Sequence, residues 1–533
     1  MTYLIRLIAL LCCSAYLSGC GGSGSSSTPT TQVSGVVMAG PASGAAVTVK
    51  TTAGTVVAGP VTTDGSGAYT IAIPTSALAA ALVFEARGGS FPDEATAATG
   101  VALDALTAHV AAGALTSGAT VSIDPSSTIV QKLVAGGSST TAADAAFTTA
   151  FGYTPDCSVK PVFAALSSAS TDAQRLAGLR AAAFSQLTKD LGLAPDKQFE
   201  LIQALADDLS DGVLDGRKTG GIAVTTASGT AIPADIANRF AAALMTFQAS
   251  SLNRSRLTMD KLGAPPFATV ALTGSYKVEY LPGTTAAAQG KTSFKVRLTN
   301  PADNTPATGK SVTLTPKMYM ATMSHGSPVD TCVESATPGT YDCTVYYLMA
   351  SGPGMGIWEL KVKIGTETAT YYPPVAMAMG TTSRATLKGV ADTIGAMMGM
   401  GTSPRTYYLF NDGSTFGMTS TFKLFVAAAD DATMMKFPAV SSGTTLHDAL
   451  NTAWTVNGGA SGVQVSSDNG ATWVSATDNG GGHWSAAGLT GLASGGTVRV
   501  RLTVNGEQKT TTGSATLSAT NMDYTLFTIV GGM

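Results

Sequence analysis

Several methionines and a histidine lie close together in the second half of the chain and could bind a metal ion. On an extended segment, side chains two residues apart share a face. Met318 would then lie beside Met320, and Met323 beside His325. Thioethers are soft ligands that suit Cu(I), and imidazole binds copper in either oxidation state. Together with Met355, which follows in a glycine-rich stretch, these residues form a candidate copper site.

The same residues also fit ordinary packing. Methionine is an adaptable filler of hydrophobic cores. The chain has 19 methionines spread along its length, including the pair Met434-Met435, and only one histidine lies in the candidate segment. On this alternative, which the sequence leaves open, the methionines are structural and the protein requires no cofactor.

The other reactive residues form no recognisable catalytic pattern. The four histidines, His109, His325, His447 and His483, lie in different regions. The sequence has no nucleophile elbow, zinc-protease motif, phosphate-binding loop or dinucleotide fingerprint. We therefore predict that the protein is not an enzyme. The net charge is −3 and there is no basic run, so we expect no nucleic-acid partner.

Three tryptophans lie near the end of the chain, one of them in a short motif. Residues 466–473 follow the Asp-box pattern Ser-x-Asp-x-Gly-x-x-Trp, known from sialidases and other propellers. A propeller repeats this motif once per blade, and a single copy is found here, so we predict a structural turn. Trp454, Trp473 and Trp484 would either pack in a core or form a surface on which sugars stack.

Two of the six cysteines are positioned to form a disulfide. A Pro-Gly turn lies between Cys332 and Cys343. If Ser335 pairs with Thr340 across that turn, the two cysteines fall opposite each other on neighbouring strands, within reach of a disulfide. Such a bond forms outside the cytoplasm. Cys157 is left over, and we expect a buried free thiol.

The first residues of the chain predict an export signal. Arg6 precedes an apolar run over residues 7–17, which is shorter than the ~20 residues that a spanning helix needs. The run leads into Leu-Ser-Gly-Cys at residues 17–20, and this tetrapeptide resembles the bacterial lipoprotein signal. An ordinary cleaved secretory signal is the alternative.

The lipoprotein resemblance fixes the expected location. It implies that residues 1–19 are removed as a signal peptide and that Cys20 is lipidated, so the membrane is a partner through an N-terminal lipid. Residues 20–31 are then a flexible Gly/Ser tether. Gly21, rather than an aspartate, follows the cysteine, and by resemblance to sorted lipoproteins this favours the outer membrane.

Two units are predicted before residue 263. Residues 32–89 contain short alternating runs and a Gly-rich turn, and resemble the carboxypeptidase regulatory-like domain, which implies a small transthyretin-like β-sandwich. Residues 90–262 change to helical periodicity, with an N-cap signal at Asp124 and a capping box from Thr171 to Gln174. We therefore predict an α-helical domain there.

Alternation returns in two further units. Residues 268–375 predict an immunoglobulin-like β-sandwich. The Met/His segment, followed by Gly-x-Tyr at residues 339–341 and Gly-x-Trp at residues 356–358, resembles the YtkA-like and FixH-like periplasmic domains. This resemblance implies a link to copper handling. Residues 376–533 predict a C-terminal β-sandwich, with a hairpin turn at residues 505–506.

The sequence thus predicts a multi-domain, mainly β protein with a small β-sandwich, an α-helical domain and two immunoglobulin-like β-sandwiches. The favoured function is a lipid-anchored envelope lipoprotein with a structural or partner-binding role. A periplasmic copper-binding protein is one alternative. A surface adhesin or carbohydrate-binding protein is another, and it requires exposed tryptophans. An envelope protein or a surface polysaccharide would be the partner, and its identity stays open.

Overall fold

The computed structural model describes residues 28–162, 170–396 and 401–530. The predicted signal peptide and Cys20, the predicted lipidation site, lie outside the described residues. Within the described ranges, none of the helices is both long enough and apolar enough to span a membrane. Strand pairing begins at Thr30, inside the last part of the predicted tether.

The chain begins with an antiparallel β module. Its strands are β1 (Thr30–Val36), β2 (Ala46–Thr51), β3 (Val56–Thr62), β4 (Ala68–Pro74), β5 (Leu82–Arg87), β6 (Ser90–Phe91), β7 (Val101–Ala102) and β8 (Ala105–Val110). β1 pairs with β4, β6 pairs with β7, and a four-stranded sheet has the order β3-β2-β5-β8. Because β8 pairs with β5, the sheet continues past the predicted boundary at residue 89.

Helices follow the β module. They are α1 (Pro125–Ala135), α2 (Thr140–Phe151), α3 (Asp172–Asp190), α4 (Gln198–Asp208) and α5 (Ile236–Ala249), with a short hairpin of β9 (Arg217–Lys218) and β10 (Ile222–Ala223) between α4 and α5. Single turns of 3₁₀ helix occur at Thr75–Ala77, Pro195–Lys197, Leu209–Asp211, Met259–Lys261 and Gly458–Ala460.

The helix starts follow the capping signals in the sequence. At α1, the Asp124 carboxylate accepts the N–H of Ser127 at 2.8 Å. At α3, the Gln174 N–H donates to the Thr171 hydroxyl at 3.2 Å, and the Gln174 side chain accepts the Thr171 N–H at 3.0 Å. Both predicted caps are confirmed. They satisfy N–H groups that the first helical turn leaves unpaired.

A single hydrophobic core joins the β module to the helices. Val33 of β1, Ile129 of α1 and Phe240 of α5 belong to the same buried cluster. Just before α1, the N–H of Val121 donates to the carbonyl of Ser34 at 2.8 Å, so the chain runs beside β1 as it enters the helix. The β module and the helices are therefore one packed unit.

Residues 268–375 form a β-sandwich. Its strands are β11 (Val270–Leu272), β12 (Lys277–Pro282), β13 (Gly290–Thr299), β14 (Val312–Tyr319), β15 (Ser324–Gly326), β16 (Val333–Glu334), β17 (Thr340–Tyr347), β18 (Ile357–Ile364) and β19 (Glu367–Tyr371). They form two sheets, β11-β12-β13-β17-β16 and β15-β14-β18-β19. Alternate residues of β13 are buried, as its sequence predicts, and both sheets contribute to one core that contains Val296 and Leu360.

A second β-sandwich ends the chain. Its strands are β20 (Arg384–Gly395), β21 (Thr402–Thr415), β22 (Ser420–Ala428), β23 (Thr445–His447), β24 (Ala453–Thr455), β25 (Gly462–Ser466), β26 (Val474–Ser475), β27 (Thr477–Asp478), β28 (His483–Leu489), β29 (Thr497–Val504), β30 (Glu507–Gln508) and β31 (Thr525–Thr528). The sheets are β20-β21-β22-β28-β27 and β26-β25-β29-β30, with β31 on β29, and β23 pairs with β24. The predicted turn at Asn505 and Gly506 joins β29 to β30, with positive φ at both residues.

Neighbouring units contact each other through packed interfaces. The Asn238 amide of α5 donates to the carbonyl of Thr370 in the first sandwich at 2.8 Å. Between the two sandwiches, the rings of Tyr346 and Phe425 stack with centroids 3.9 Å apart. The prediction of a mainly β fold with β-sandwiches and a set of helices is confirmed.

Candidate functional site

Two of the candidate copper ligands, Met318 and His325, lie on neighbouring strands of the first sandwich. In the strand register, Met318 of β14 is opposite His325 of β15 on one side and Trp358 of β18 on the other. Side chains that are directly opposite in antiparallel strands share a face. Met318 and Trp358 are completely buried, and His325 is 5% exposed. Strand pairing therefore brings Met318 and His325 together in the core.

His325 has the tautomer that a metal ligand needs. Its Nδ1 lies 2.7 Å from the carbonyl oxygen of Gly326, and because a carbonyl only accepts, Nδ1 carries the proton. Nε2 then carries a lone pair. This nitrogen is buried without a hydrogen-bond partner. Burial lowers the pKa of His325, which keeps the ring neutral at pH 7. A backbone carbonyl bonded to one ring nitrogen and a free lone pair on the other are typical of metal-binding histidines.

The other candidate ligands are less well placed. Met320 and Met323 lie in the turn between β14 and β15, where the N–H of Met320 donates to the carbonyl of Met323 at 2.9 Å, and Met323 is 42% exposed. Met355 is half-buried in the turn before β18. In addition, the positive charge of Arg384 lowers the pKa of His325, so a cation here would meet repulsion.

A second methionine segment approaches the same place. The N–H of Gly326, next to His325, donates to the carbonyl of Met434 at 2.8 Å. The loop that carries Met434 and Met435 belongs to the last sandwich, so residues far apart in sequence meet at the boundary between the two sandwiches. Met435 is 38% exposed. Sequence reasoning missed this neighbour.

The predicted disulfide is confirmed. The sulfurs of Cys332 and Cys343 are bonded, and their Cα atoms are 4.5 Å apart. The N–H of Ser335 donates to the carbonyl of Thr340 at 2.8 Å, which is the pairing that the turn predicted. Closing so short a loop is worth about 2–3 kcal/mol in the entropic view. Cys157 is a free thiol, and burial raises its pKa to about 11.

The three tryptophans do not form a common platform. Trp484 is buried, and its indole N–H donates to the carbonyl of Val440 at 2.9 Å. The ring of Trp473 is covered by the guanidinium of Arg501, 3.9 Å from the ring centroid. Trp454 is half-buried and lines a cleft of about 460 Å³. A sugar-stacking surface built from all three residues is therefore wrong, and only Trp454 adjoins this cleft.

The wall of this cleft contains a cluster of charges that the sequence did not reveal, with Asp392, Glu507 and Lys509 among the lining residues. Arg405 of β21 is completely buried, and its Nε and Nη1 donate to the carboxylates of Asp392 and Asp430, each at 2.9 Å. Lys509 is 1% exposed, and its ammonium donates to Glu507 at 2.7 Å. Buried charges need such pairing to offset the loss of hydration.

Another charged cluster joins the two sandwiches. His483 donates from Nε2 to Asp330 of the first sandwich at 3.0 Å, and from Nδ1 to Asp412 of β21 at 2.9 Å. Lys291 of β13 also binds Asp412, at 2.7 Å. The hydrogen bonds to Asp330 and Asp412 raise the pKa of His483 to about 9, so the ring is charged at neutral pH.

Comparison with known proteins identifies no family. No protein-family model matches the chain, and no curated protein matches it. Among solved structures, the Escherichia coli adhesin FdeC is 14% identical with a TM-score of 0.15, covering 49% of this chain and 66% of its own. Domains 4–9 of the surface layer protein SbsC are 12% identical with a TM-score of 0.15, covering 49% and 32%.

The titin domains Z1Z2, solved in complex with telethonin, are 10% identical with a TM-score of 0.11, covering 48% of this chain and 97% of the titin chain. The chain spans less than two thirds of the FdeC and SbsC structures. At these TM-scores the similarities support no inference about function.

Proposed function

We propose that the protein is a lipid-anchored cell-envelope lipoprotein that acts by structure or by binding a partner, without catalysing a reaction. The observation that carries this proposal is the Leu-Ser-Gly-Cys signal at residues 17–20, followed at once by a Gly/Ser tether. The disulfide between Cys332 and Cys343 supports an oxidising compartment outside the cytoplasm.

The packing between units supports a structural or binding role. The β module shares its core with the helices, α5 contacts the first sandwich, and the first sandwich contacts the second. Chains of docked β-sandwiches hold a surface at a fixed place relative to an anchor. Such an arrangement suits the display of a binding surface more than it suits turnover of a substrate.

The charged residues support a non-enzymatic role. His483 is held between two carboxylates, so both of its ring nitrogens are engaged within the protein. Glu507 accepts the N–H groups of Val390 and Ala391 at 2.8 and 2.9 Å, which occupies both of its oxygens. Groups bonded in this way are not free to transfer protons to a substrate.

The anchor can be tested by growing cells with labelled palmitate. We expect label on the mature protein, a modified N-terminal cysteine by mass spectrometry, and recovery with the outer membrane. Cys20→Ala should lose the label. Cys157→Ala, which removes the free thiol, should keep it, and Gly21→Asp should move the labelled protein to the inner membrane.

An unmodified N-terminus, or recovery of the wild-type protein from the cytosol, would contradict the anchor. Label that is retained in Cys20→Ala would place the lipid on another residue, which would also contradict it.

Copper binding is a second candidate function, favoured by the buried Nε2 of His325, which has no hydrogen-bond partner, and by the position of Met318 opposite His325 in the strand register. The pair fits Cu(I) better than a divalent ion. Sulfur is a soft ligand, and a single charge is repelled less by the nearby Arg384. His325 and Met318 would hold the copper ion. Met320, Met323 and Met355 are further candidate ligands.

Titration of the purified protein with Cu(I), in competition with a chromogenic chelator, tests this function. We expect one equivalent to bind, and binding to fall at least about tenfold in His325→Ala and in Met318→Leu, which preserves volume. Met418→Leu, which changes a fully exposed methionine, is the matched control and should bind normally. Binding that is equal in all four proteins would exclude the site.

A further inference from the structure

We propose that the cleft beside Trp454 in the last sandwich binds an uncharged saccharide. This inference rests on the proposed surface-binding function and names the class of ligand and the site. The cleft has a volume of about 460 Å³, within the ~300–1,000 Å³ range of small-ligand pockets. Trp454, Thr393, Asp448 and Asn505 line it, together with the exposed side chain of Leu450 at its rim. The paired charges of Asp392, Glu507 and Lys509 complete the lining.

Trp454 supplies a fixed apolar face. It lies on β24, opposite the buried Leu446 of β23. The guanidinium carbon of Arg405 lies 5.6 Å from the ring centroid, and because Arg405 is completely buried, this contact supports the ring from the protein side. The half-exposed remainder of the indole borders the cleft. An immobilised indole is a surface on which the C–H face of a pyranose ring packs.

Polar groups for hydroxyl recognition surround that face. The indole N–H of Trp454 and the hydroxyl of Thr393 make no hydrogen bond to other described residues, and both residues line the cleft. Asp448 accepts the N–H groups of Leu450 and Thr452 through Oδ1, at 2.9 and 2.8 Å, which leaves Oδ2 for a ligand. The Asn505 amide donates once, to Thr455, and has a second N–H.

The charges around the cleft favour a neutral ligand. Asp392 and Glu507 are paired with Arg405 and Lys509, so these charges are already compensated within the protein. Asp448 makes no ion pair among the described residues. Its negative charge would repel a phosphate, a sialic acid or a uronic acid. An uncharged sugar can form hydrogen bonds with the polar groups of the lining through its hydroxyls, and it brings no unpaired charge into the cleft.

The same pairing separates binding from hydrolysis. A glycosidase needs two carboxyl groups that are free to act as acid and as base or nucleophile. Asp392 accepts bonds from Arg405 and Lys509, and Glu507 is occupied by backbone N–H groups and by Lys509. Only Asp448 keeps an oxygen without a partner. We therefore expect a bound sugar to be released unchanged.

The test uses the full mature chain, solubilised in a zwitterionic detergent because sugar-based detergents would compete. Four probes are titrated while the ¹⁵N-labelled indole signals are followed by NMR: methyl-β-D-glucopyranoside, methyl-β-D-galactopyranoside, N-acetylglucosamine and N-acetylneuraminic acid. We expect saturable shifts of the Trp454 signal with at least one neutral sugar. The dissociation constant should be on the order of 1 mM, as for a ligand of this size.

Variants locate the site. Trp454→Leu should abolish saturable binding, whereas Trp454→Tyr, which keeps a stacking ring, should retain it within about tenfold. Trp473→Leu, at a ring covered by Arg501, is the matched control and should bind like the wild type. Asp448→Asn should weaken binding about tenfold, because an amide accepts hydrogen bonds less strongly than a carboxylate.

The outcomes are distinct. Preference for N-acetylglucosamine would point to an envelope polysaccharide, and preference for the galactoside to a foreign cell surface; either supports the saccharide site. No saturable shift with any neutral sugar up to about 50 mM, equal binding by Trp454→Leu, or preference for the anionic sugar would overturn it. Loss of the saccharide site would leave palmitate labelling and membrane recovery unaffected, so it is distinguishable from failure of the proposed function.

Discussion

Replacing Arg405 by methionine should lower the free energy of unfolding of the protein by about 3–5 kcal/mol. Arg405 is completely buried and holds two carboxylates, Asp392 and Asp430, through charged hydrogen bonds of 2.9 Å. Its guanidinium also donates to the carbonyls of Ala429 and His447. The variant removes the cation and leaves both carboxylates in the protein interior with fewer partners.

The effect is expected from the missing charge rather than from lost volume. Methionine keeps an unbranched side chain in the same space, so little cavity forms. Urea denaturation followed by fluorescence measures the loss. Arg405→Met combined with Asp430→Asn should be more stable than Arg405→Met alone, because the second substitution removes a carboxylate that would otherwise stay buried without its cation.

A surface ion pair provides the matched control. Arg297 binds Glu279 at 2.7 Å in the first sandwich, and its side chain is 47% exposed. Arg297→Met should therefore change the free energy of unfolding by no more than about 1 kcal/mol. If Arg405→Met costs no more than this control, the buried cluster does not stabilise the last sandwich and the prediction is wrong.

Local features of this fold could be predicted from sequence because their signals lie within a few residues of each other. The cap at Asp124, the capping box from Thr171 to Gln174 and the hairpin at Asn505 each depend on one turn of backbone. The disulfide between Cys332 and Cys343 is also local, since a short turn sets the strand register that brings the cysteines together.

The clusters of the candidate sites could not be predicted in the same way, because strand order and register bring their members together. Asp392, Arg405 and Lys509 are isolated charges in three strands or loops, and in sequence each resembles an exposed residue of a half-buried strand. Likewise, nothing near His325 in the sequence indicates that Met434 approaches it from another domain.

Which tryptophans are buried and which are exposed could not be predicted from the sequence either. Trp454 and Trp484 both lie in short strands with mixed neighbours. The fold buries Trp484 under Val440 and leaves Trp454 at the cleft. Whether a tryptophan packs or binds depends on which sheet covers it, and that depends on long-range pairing. The motif at residues 466–473 predicted a turn but not the arginine that covers Trp473.

Raising the pH from about 6.5 to 9.5 should loosen the junction between the two sandwiches, and only while His483 is present. Both ring nitrogens of His483 face carboxylates, at 3.0 Å from Asp330 and 2.9 Å from Asp412. A carboxylate only accepts hydrogen bonds, so both nitrogens must carry protons and the ring is an imidazolium. Deprotonation removes one of the two bonds and the positive charge.

The direction of the pH effect follows from the shifted pKa values. The pKa of His483 is raised to about 9 from its ordinary value of 6.5. Its contribution is therefore fully present below about pH 6.5 and is lost as the pH rises through about 9. The ring is partly exposed, and after allowance for solvent screening the contribution is about 1–2 kcal/mol.

Asp330 and Asp412 determine how the stability of the junction changes at acid pH. The hydrogen bond from His483 lowers the pKa of Asp330. Burial opposes ionisation of Asp412, but its bonds to His483 and Lys291 prevail and lower its pKa as well. Their contribution is present above about pH 4 and is lost on acidification. Tyr346 also donates to Asp412, and burial raises the pKa of its hydroxyl, so it stays protonated through this range.

Thermal unfolding and small-angle scattering at pH 6, 7.5 and 9.5 should show these changes. The unfolding temperature of the wild type should fall between pH 6 and 9.5. That of His483→Gln should be lower at pH 6 and should change little with pH. His447→Gln, which alters a histidine bound to Asp430 within a single sandwich, should retain the wild-type slope. If the unfolding temperature of His483→Gln falls with pH as steeply as that of the wild type, the pH dependence belongs to another group.

The junction should loosen without separating, because its apolar part does not titrate. Tyr346 stacks on Phe425 at 3.9 Å, within a buried cluster that also contains Leu348 and Phe410. Burial of these side chains persists at high pH. Wild-type protein at pH 9.5 should therefore scatter like His483→Gln at pH 6. Full separation of the sandwiches at high pH would mean that the ion pairs, rather than the aromatic contact, hold the two domains together.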